Sequence, residues 1–372
     1  MSQRRNKLFY LMMGALSAAS LTAQAADSAN VTVYGKARAS VNSTDNGTDT
    51  VTDISTNSSR LGFKGSEDLG DGVKAVFQFE TLVNLDDGAG NNKSGGTPTN
   101  SLFGAGRNTY VGLGSELGSF ILGNYDSPYK EATGRIDILS DTMADYNTII
   151  GDIGDNDTSA EYDPRTPNSI NYWSPKMAAL PGFGLKLQYR PDENSAVSQD
   201  RYSINATYEN GPFYAGLGYE NHSNEGSTST RDTQGTKLGL GYTFEEATKV
   251  GLVYEKLSED GASTVFDRNA WYVNVSHQLL GLANKVGLNT LKVAYGHAGA
   301  NDATADSGAD FYAVGIAHNF SKRSEMYLLY AKTNNDTNGR YALGTTGGSG
   351  ATLPAATGQD VSSLSLGINY DF

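Results

Sequence analysis

The sequence contains no cysteine, so none of its 372 residues can form a disulfide. Secreted proteins often use disulfides to compensate for a small core. A secreted chain without them must be held together by burial and by hydrogen bonds between backbone groups. A closed β-barrel meets this requirement, because each of its strands is paired on both sides.

Long apolar runs are also missing from the body of the chain. A membrane-spanning helix needs about 20 consecutive apolar residues, and no such stretch follows the amino-terminal segment. Proline is scarce, with 9 residues, whereas 44 glycines and 22 tyrosines favour strands and turns. The composition excludes a helical membrane protein. It allows a membrane barrel, in which only alternate residues face lipid.

Positive charge is in deficit, with 28 Lys and Arg residues against 41 Asp and Glu, a net charge of -13. This balance argues against a nucleic-acid partner. The four histidines lack the spacing of a metal site. No complete G-x-G-x-x-G phosphate loop and no G-x-S-x-G nucleophile motif occurs. The sequence therefore predicts no enzyme, no metal and no cofactor.

The amino-terminal segment has the pattern of an export signal. Three basic residues lie among the first seven positions, an apolar run from Leu8 to Leu16 follows, and Ala23-Gln-Ala25 has the small-x-small pattern of a cleavage site. The apolar run is too short to span a membrane as an anchor. We expect a secretory signal peptide at 1–25 and one mature domain at 26–372.

The mature chain alternates apolar and polar residues in many short stretches. In the last one, Leu366, Ile368, Tyr370 and Phe372 share a face, and polar residues occupy the other. Short connections alternate with long polar ones, as in outer-membrane barrels. We predict an all-β fold, a transmembrane antiparallel β-barrel of sixteen strands in which the last strand pairs with the first. Sixteen strands enclose an aqueous channel.

One long stretch, from Asp126 to Asn168, interrupts the alternation. It contains isoleucines, leucines and a methionine among many acids. A long loop within a compact protein is usually functional or disordered, and the apolar content argues against disorder. We expect this loop to fold inward, with a short helix capped by Ser140 or Asp141 and running toward Asn147.

Several motifs occur in a fixed order along the chain: Val33-Tyr-Gly-Lys-Ala37, Ser59-Arg-Leu-Gly-Phe-Lys-Gly65, Arg107-Asn-Thr-Tyr-Val-Gly-Leu113, Gly118-Ser-Phe120, Pro167-Asn-Ser-Ile-Asn-Tyr172 and the terminal Phe372. Together they resemble those of the general diffusion porins of Gram-negative bacteria. The resemblance covers essentially the whole mature chain and implies a homotrimer of sixteen-stranded barrels in the outer membrane, with the long third loop folded into each pore. It also implies contacts with outer-membrane lipid, with lipopolysaccharide and with the outer-membrane assembly machinery.

The resemblance also indicates which residues narrow the pore. In the family, basic residues of the wall face acids of the third loop, and such opposed charges sort ions. Lys36, Arg60 and Arg107 match the family's wall positions, and strand alternation also puts them on the polar face. The candidate loop acids are Asp137, Asp141 and Asp145. Phe372 matches the family's assembly signal.

The leading interpretation is a water-filled channel for passive diffusion of ions and small hydrophilic solutes. A substrate-selective porin is the first alternative, with Tyr34, Tyr125 and Tyr146 as candidates for stacking on a sugar. A non-conducting structural or adhesive barrel is the second, and a soluble secreted β-protein is the third. Measured conductance separates the channels from the others.

Overall fold

A computed structural model describes ten stretches of the chain, and the signal peptide expected at 1–25 lies outside them. The stretches are 30–86, 103–152, 162–163, 165–192, 199–223, 232–245, 247–260, 266–279, 289–344 and 353–372.

Within these residues the chain forms strand segments joined by turns and loops. The segments are β1 (Asn30–Asp45), β2 (Thr50–Thr56), β3 (Arg60–Gly70), β4 (Val73–Val83), β5 (Phe103–Gly106), β6 (Thr109–Ser115), β7 (Gly118–Asp126), β8 (Arg165–Trp173), β9 (Phe183–Arg190), β10 (Arg201–Asn210), β11 (Phe213–His222), β12 (Asp232–Phe244), β13 (Thr248–Asp260), β14 (Phe266–Gln278), β15 (Asn289–Ala298), β16 (Ala309–Asn319), β17 (Ser324–Asn335) and β18 (Val361–Asp371).

The eighteen segments make sixteen barrel strands. Segments β2 and β3 both pair with β1, on either side of a break at 57–59, and they form one strand. Segments β5 and β6 likewise share β4 as their partner, with a break at 107–108. All pairings are antiparallel, and β18 pairs with β1 to close the sheet. The predicted sixteen-stranded barrel, with its last strand on its first, is confirmed.

The two faces of the wall differ in polarity as the alternation predicts. Val33, Phe79, Val314 and Ile368 are exposed on the outer face of the single chain. On the inner face, the polar side chains of β1 and β18 bond to one another, as in the 2.6 Å hydrogen bond from Ser365 to Asn42. The outer face is therefore suited to lipid or to a neighbouring subunit.

The apolar core lies inside the barrel, between the long loop and the wall. Ile136, Leu139, Met143, Ile149 and Ile150 of the loop are buried. They cluster with inward-facing side chains of β13 to β17. These are the residues whose apolar character argued against disorder, and the burial of their side chains fixes the loop against the wall.

Glycines of the wall let the loop backbone approach closely. A Cβ added at Gly216 would lie 2.1 Å from the carbonyl oxygen of Ala132, and one at Gly251 would lie 2.5 Å from Cγ2 of Ile136. No real side chain fits at these distances. The glycines of neighbouring strands therefore form a seat for the loop.

The loop's short helices differ from the expectation. The helix predicted to start at Ser140 or Asp141 is wrong. The described loop instead has one helical turn, α1 (Pro128–Glu131), which is capped by the Ser127 side chain and carries proline near its start. A 3₁₀ turn over Tyr146–Thr148 is capped by Asp145. No helix in the described stretches is long and apolar enough to cross a membrane.

Candidate pore constriction

The tip of the loop brings one carboxylate to the basic wall. Oδ2 of Asp141 accepts hydrogen bonds from Nη1 of Arg38 at 2.7 Å and from Nη2 of Arg60 at 3.2 Å. All three side chains are less than one-fifth exposed. Charge-assisted contacts of this kind are among the stronger hydrogen bonds in proteins.

The basic residues converge because of strand register. Lys36 lies opposite Arg60 in the pairing of β1 with β3, and Arg38 follows two residues later on the same face. Lys36 and Arg38 also lie 3.9 and 3.8 Å from the carboxylate of Asp371 on β18. The closing seam of the barrel therefore carries the wall's cationic patch.

The geometry of Asp141 is fixed by Asp145. Asp141 has a φ of 59°, a left-handed conformation that is uncommon for residues other than glycine. Its backbone N–H donates to Oδ2 of Asp145 at 2.9 Å, and Oδ1 of Asp145 accepts from the N–H of Asn147 at 3.0 Å. Among the contacts of the described residues, Asp145 bonds to backbone groups of the loop and to no side chain of the basic wall. It holds the turn that presents Asp141.

Asp137 is also directed into the loop. Its carboxylate accepts from the backbone N–H groups of Leu139 and Tyr146 at 2.8 and 3.1 Å, and from the Tyr272 hydroxyl of the wall at 3.3 Å. Of the three candidate acids, Asp141 is the one that the structure brings to Arg38 and Arg60.

The three loop carboxylates differ in their proton affinity. Burial would raise the pKa of Asp141, but the positive charges of Arg60 and Arg38 outweigh it, and the pKa lies below its usual value. Burial raises the pKa of Asp145 to about 6. Burial and the neighbouring Asp145 raise the pKa of Asp137 well above the usual range. Asp141 is therefore the carboxylate held firmly in its charged form.

Arg107 lies at the break between β5 and β6, almost fully buried. Its Nε donates to Oε1 of Glu80 at 2.7 Å. The other oxygen of Glu80 accepts from the Tyr34 hydroxyl at 2.8 Å. Arg107 thus belongs to a paired cluster of the wall, and within the described residues it does not bond to a loop acid.

An open cavity of about 290 Å³ lies between the loop tip and this wall. Its lining includes Lys36, Arg38, Arg60 and Asp141, together with Lys292 and Glu325 on β15 and β17. The last two are 3.8 Å apart. Asp137 also borders the cavity, so the lining carries four cations and three carboxyl groups.

Two buried charge networks anchor the loop to the opposite wall. In the first, Glu255 accepts hydrogen bonds from Arg268, from the Tyr129 hydroxyl and from the N–H of Gly151, each at 2.8 Å. Arg268 also donates to the carbonyl of Ile149 at 2.9 Å. Glu255 and Arg268 are fully buried, which requires that the charges be compensated in this way.

The second network involves the end of the loop. Lys237 of β12 is fully buried and pairs with Asp163. The second oxygen of Asp163 accepts from the Asn147 amide at 2.7 Å and from the Tyr146 hydroxyl at 3.2 Å. Ionic contacts therefore hold the loop against β12, β13 and β14, while Asp141 at its tip contacts the basic wall.

Sequence reasoning passed over Arg38 and these anchors. Arg38 shares the polar face with Lys36, but alternation does not say which basic residue the loop reaches. The aromatic candidates are not brought together as a track. Tyr146 is buried, Tyr34 bonds to Glu80, and the Tyr125 ring packs 4.9 Å from Trp173.

Comparison with known proteins agrees with the architecture. Residues 13–338 match the family model of the Gram-negative porins. The major outer membrane protein P.IB of Neisseria gonorrhoeae is 29% identical over 339 residues, which cover 82% of this chain and 88% of that protein. The outer membrane porin protein 32 of Delftia acidovorans is 28% identical over 326 residues, 84% of each chain.

Solved structures share the fold. An anion-selective porin from Comamonas acidovorans superposes with a TM-score of 0.77 at 24% identity, covering 93% of this chain and all of that one. OmpT of Vibrio cholerae, in a trimer form, gives a TM-score of 0.65 at 17% identity, with 93% and 100% covered. With a closed barrel, a lipid-compatible outer face and a match over most of its length, this chain belongs to the Gram-negative porin family and forms an outer-membrane channel for passive diffusion of solutes.

Proposed function

We propose that the channel is trimeric and prefers anions, and that Lys36, Arg38 and Arg60, together with the Asp141 that two of them bind, line its narrowest part. The observation that carries this proposal is the double hydrogen bond of Asp141 to Arg38 and Arg60. One acid held between two arginines leaves positive charge in excess at the opening.

The charges around the opening support the anion preference. Lys36, Arg38, Arg60 and Lys292 supply four cations, whereas the carboxyl groups of the lining are Asp137, Asp141 and Glu325. Asp371 is a fourth carboxyl group near the opening, so the cations are in excess because the raised pKa of Asp137 favours its neutral form. The positive charge of Arg107 is balanced by the carboxylate of Glu80 within the wall. The net charge of -13 describes the whole chain and not this opening.

The outer face of the barrel and a solved trimeric structure support a trimer. A solved relative is described as a trimer, and the aliphatic outer face around β18 and β1 offers a surface for a neighbouring subunit. The remaining outer surface would contact outer-membrane lipid and lipopolysaccharide. Phe372 would act as part of the signal for the assembly machinery.

The test is conductance of the purified protein in a planar bilayer under a salt gradient. We expect steps in groups of three, and a reversal potential with the sign of a chloride-preferring pore. Single steps would refute the trimer, and a reversal potential of the opposite sign would refute the anion preference. Absence of steps at every voltage would refute a conducting channel.

A further inference from the structure

A second recess lies apart from the constriction, at the periplasmic end of the wall. Its volume is about 820 Å³, within the range of small-molecule sites. It is bounded by the connection 174–182, by the inner faces of β9 to β11, and by the start of the loop at Glu131 and Arg135. Short connections of such barrels face the periplasm, and this connection is on their rim.

The connection that walls the recess is longer than most of the turns on its rim. Two residues separate β3 from β4, β6 from β7 and β10 from β11, whereas 174–182 separates β8 from β9. Met177 and Pro181 of this connection line the recess together with Phe183 and Tyr214. These side chains give the recess an apolar lining.

Positive groups exceed negative ones around this lining. Nζ of Lys186 pairs with Oε1 of Glu131 at 2.7 Å. Arg135 makes a bidentate contact with Glu209, at 2.6 and 2.9 Å. Lys176 is exposed at the rim, and in the described part of the chain no carboxylate lies within ion-pair distance of it. Both acids of the lining are thus paired, and one cation is left over.

The paired cations retain donors for a ligand. An ammonium group has three donors and a guanidinium five. Among the described contacts, Lys186 uses one donor on Glu131, and Arg135 uses two of its nitrogens on Glu209. The guanidinium of Arg135 lies 4.4 Å from the Tyr214 ring centre, and Nζ of Lys186 lies 5.0 Å from that of Trp173. These contacts keep both cations beside the apolar lining.

We propose that this recess binds small organic anions that carry an apolar body, such as aryl carboxylates entering from the periplasm. The carboxylate contacts Lys176 and the free donors of Lys186 and Arg135. The apolar body packs against Phe183, Tyr214 and Met177. The inference goes beyond passive diffusion, because it gives the channel a saturable site outside the constriction, and it does not depend on the ion preference of the pore.

The experiment is calorimetric titration of the barrel in lipid nanodiscs at pH 7, with empty nanodiscs as the blank. The probe is 4-phenylbutyrate, compared with butyrate, which lacks the ring, and with 4-phenylbutylamine, which carries the opposite charge. The test variant is Lys176→Glu, at an exposed position of the connection. Lys322→Glu, at an exposed lysine of another periplasmic turn, is its matched control, and Arg60→Gln reports on the constriction.

We expect saturable binding of 4-phenylbutyrate, with much weaker binding of both comparison compounds. Lys176→Glu should weaken it by about tenfold or more, the scale of one charge-assisted contact, while Lys322→Glu and Arg60→Gln stay within about twofold of the parent. No saturable heat, or equal binding of the amine, would overturn the proposal. Loss of binding in Arg60→Gln but not in Lys176→Glu would also overturn it, because it would place the anion at the constriction.

Discussion

The ring of Phe372 lies directly over Gly35, where the two ends of the barrel meet. Each residue's N–H donates to the other's carbonyl, at 3.0 and 3.1 Å. A Cβ added at Gly35 would lie 2.3 Å from Cζ of the ring. The Phe372 ring therefore has room at this position because Gly35 of β1 carries no side chain.

Gly35→Ala should impair closure of the barrel. The added methyl group displaces the Phe372 ring from the seam, so we expect a lower yield of folded protein and a lower melting temperature. Gel mobility with and without heating measures both, and Gly106→Ala is the control, because an added Cβ there meets no atom within 4 Å. Equal yields of folded protein for the two variants would contradict this role of Gly35. Conductance of pores that do assemble should be close to that of the parent.

Charge substitutions at the loop tip should move ion preference in opposite directions. Arg38→Gln and Arg60→Gln remove positive charge and should shift the reversal potential toward cations, whereas Asp141→Asn should shift it toward anions. Partly screened charges are worth about 0.5–1 kcal/mol, or roughly a two- to fivefold change in permeability ratio. Arg323→Gln, at an exposed turn, should change little. Shifts of the same sign for Arg60→Gln and Asp141→Asn would exclude the proposed arrangement.

Two neighbouring ion pairs on β13 and β14 should differ widely in their importance. Arg268 and Glu255 are fully buried, whereas Lys256 and Asp267, one residue away on each strand, are 52% and 32% exposed. Arg268→Met leaves Glu255 without its counter-charge and should cost about 3–5 kcal/mol of unfolding free energy. Lys256→Met should cost less than about 1 kcal/mol. Denaturant titration of both variants measures the difference, and comparable costs would refute the anchoring role of Arg268.

A methyl group on the loop's glycine seat should alter the pore. Gly216→Ala places its Cβ 2.1 Å from a loop carbonyl oxygen, so the loop must move away from the wall. Gly241→Ala has its nearest atom at 3.6 Å, an ordinary contact. We expect a changed single-channel conductance for the first variant and an unchanged value for the second. Identical conductances would show that the loop does not limit the pore at this position.

Stability should fall as pH rises from about 4 to 6, through the titration of Asp145. Its folded-state pKa, about 6, is raised by burial. The folded form therefore keeps a proton that the unfolded chain has already lost, and stability declines as pH rises through this window. Asp137, whose pKa is also raised, adds to this decline in stability. Asp141, whose pKa is lowered, has the opposite effect on stability. Asp145→Asn should flatten the melting-temperature profile between pH 4 and 6, and an unchanged slope would contradict this.

Strand alternation predicted which residues face inward, but not which of these side chains are buried from solvent. Glu255 and Arg268 belong to the polar face as Lys36 and Arg60 do, and nothing local distinguishes a buried anchor from a solvated lumen charge. That distinction depends on where the loop lies. The role of Arg38 could not be predicted for the same reason, because its contact with Asp141 requires a left-handed backbone conformation at Asp141 within the loop.

Strand alternation does not predict the segment Thr50–Thr56, which extends the strand that pairs with β1. Its two apolar residues, Val51 and Ile54, are three positions apart, so the segment lacks the period of two that marks a strand. The terminal pairing was predictable because Val361–Asp371 has a full apolar face.

The dry core inside the barrel has a consequence for the route of a solute. Buried side chains of the loop pack against part of the inner wall between β13 and β17, so the open space lies beside the loop, in the cavity that borders β1, β3, β15 and β17. In the proposed arrangement, a permeating ion passes beside the basic seam of β1, β3 and β18, and a dipolar molecule turns its negative end toward that seam. The proposed route thus lies to one side of the barrel, and this asymmetry would orient a passing solute.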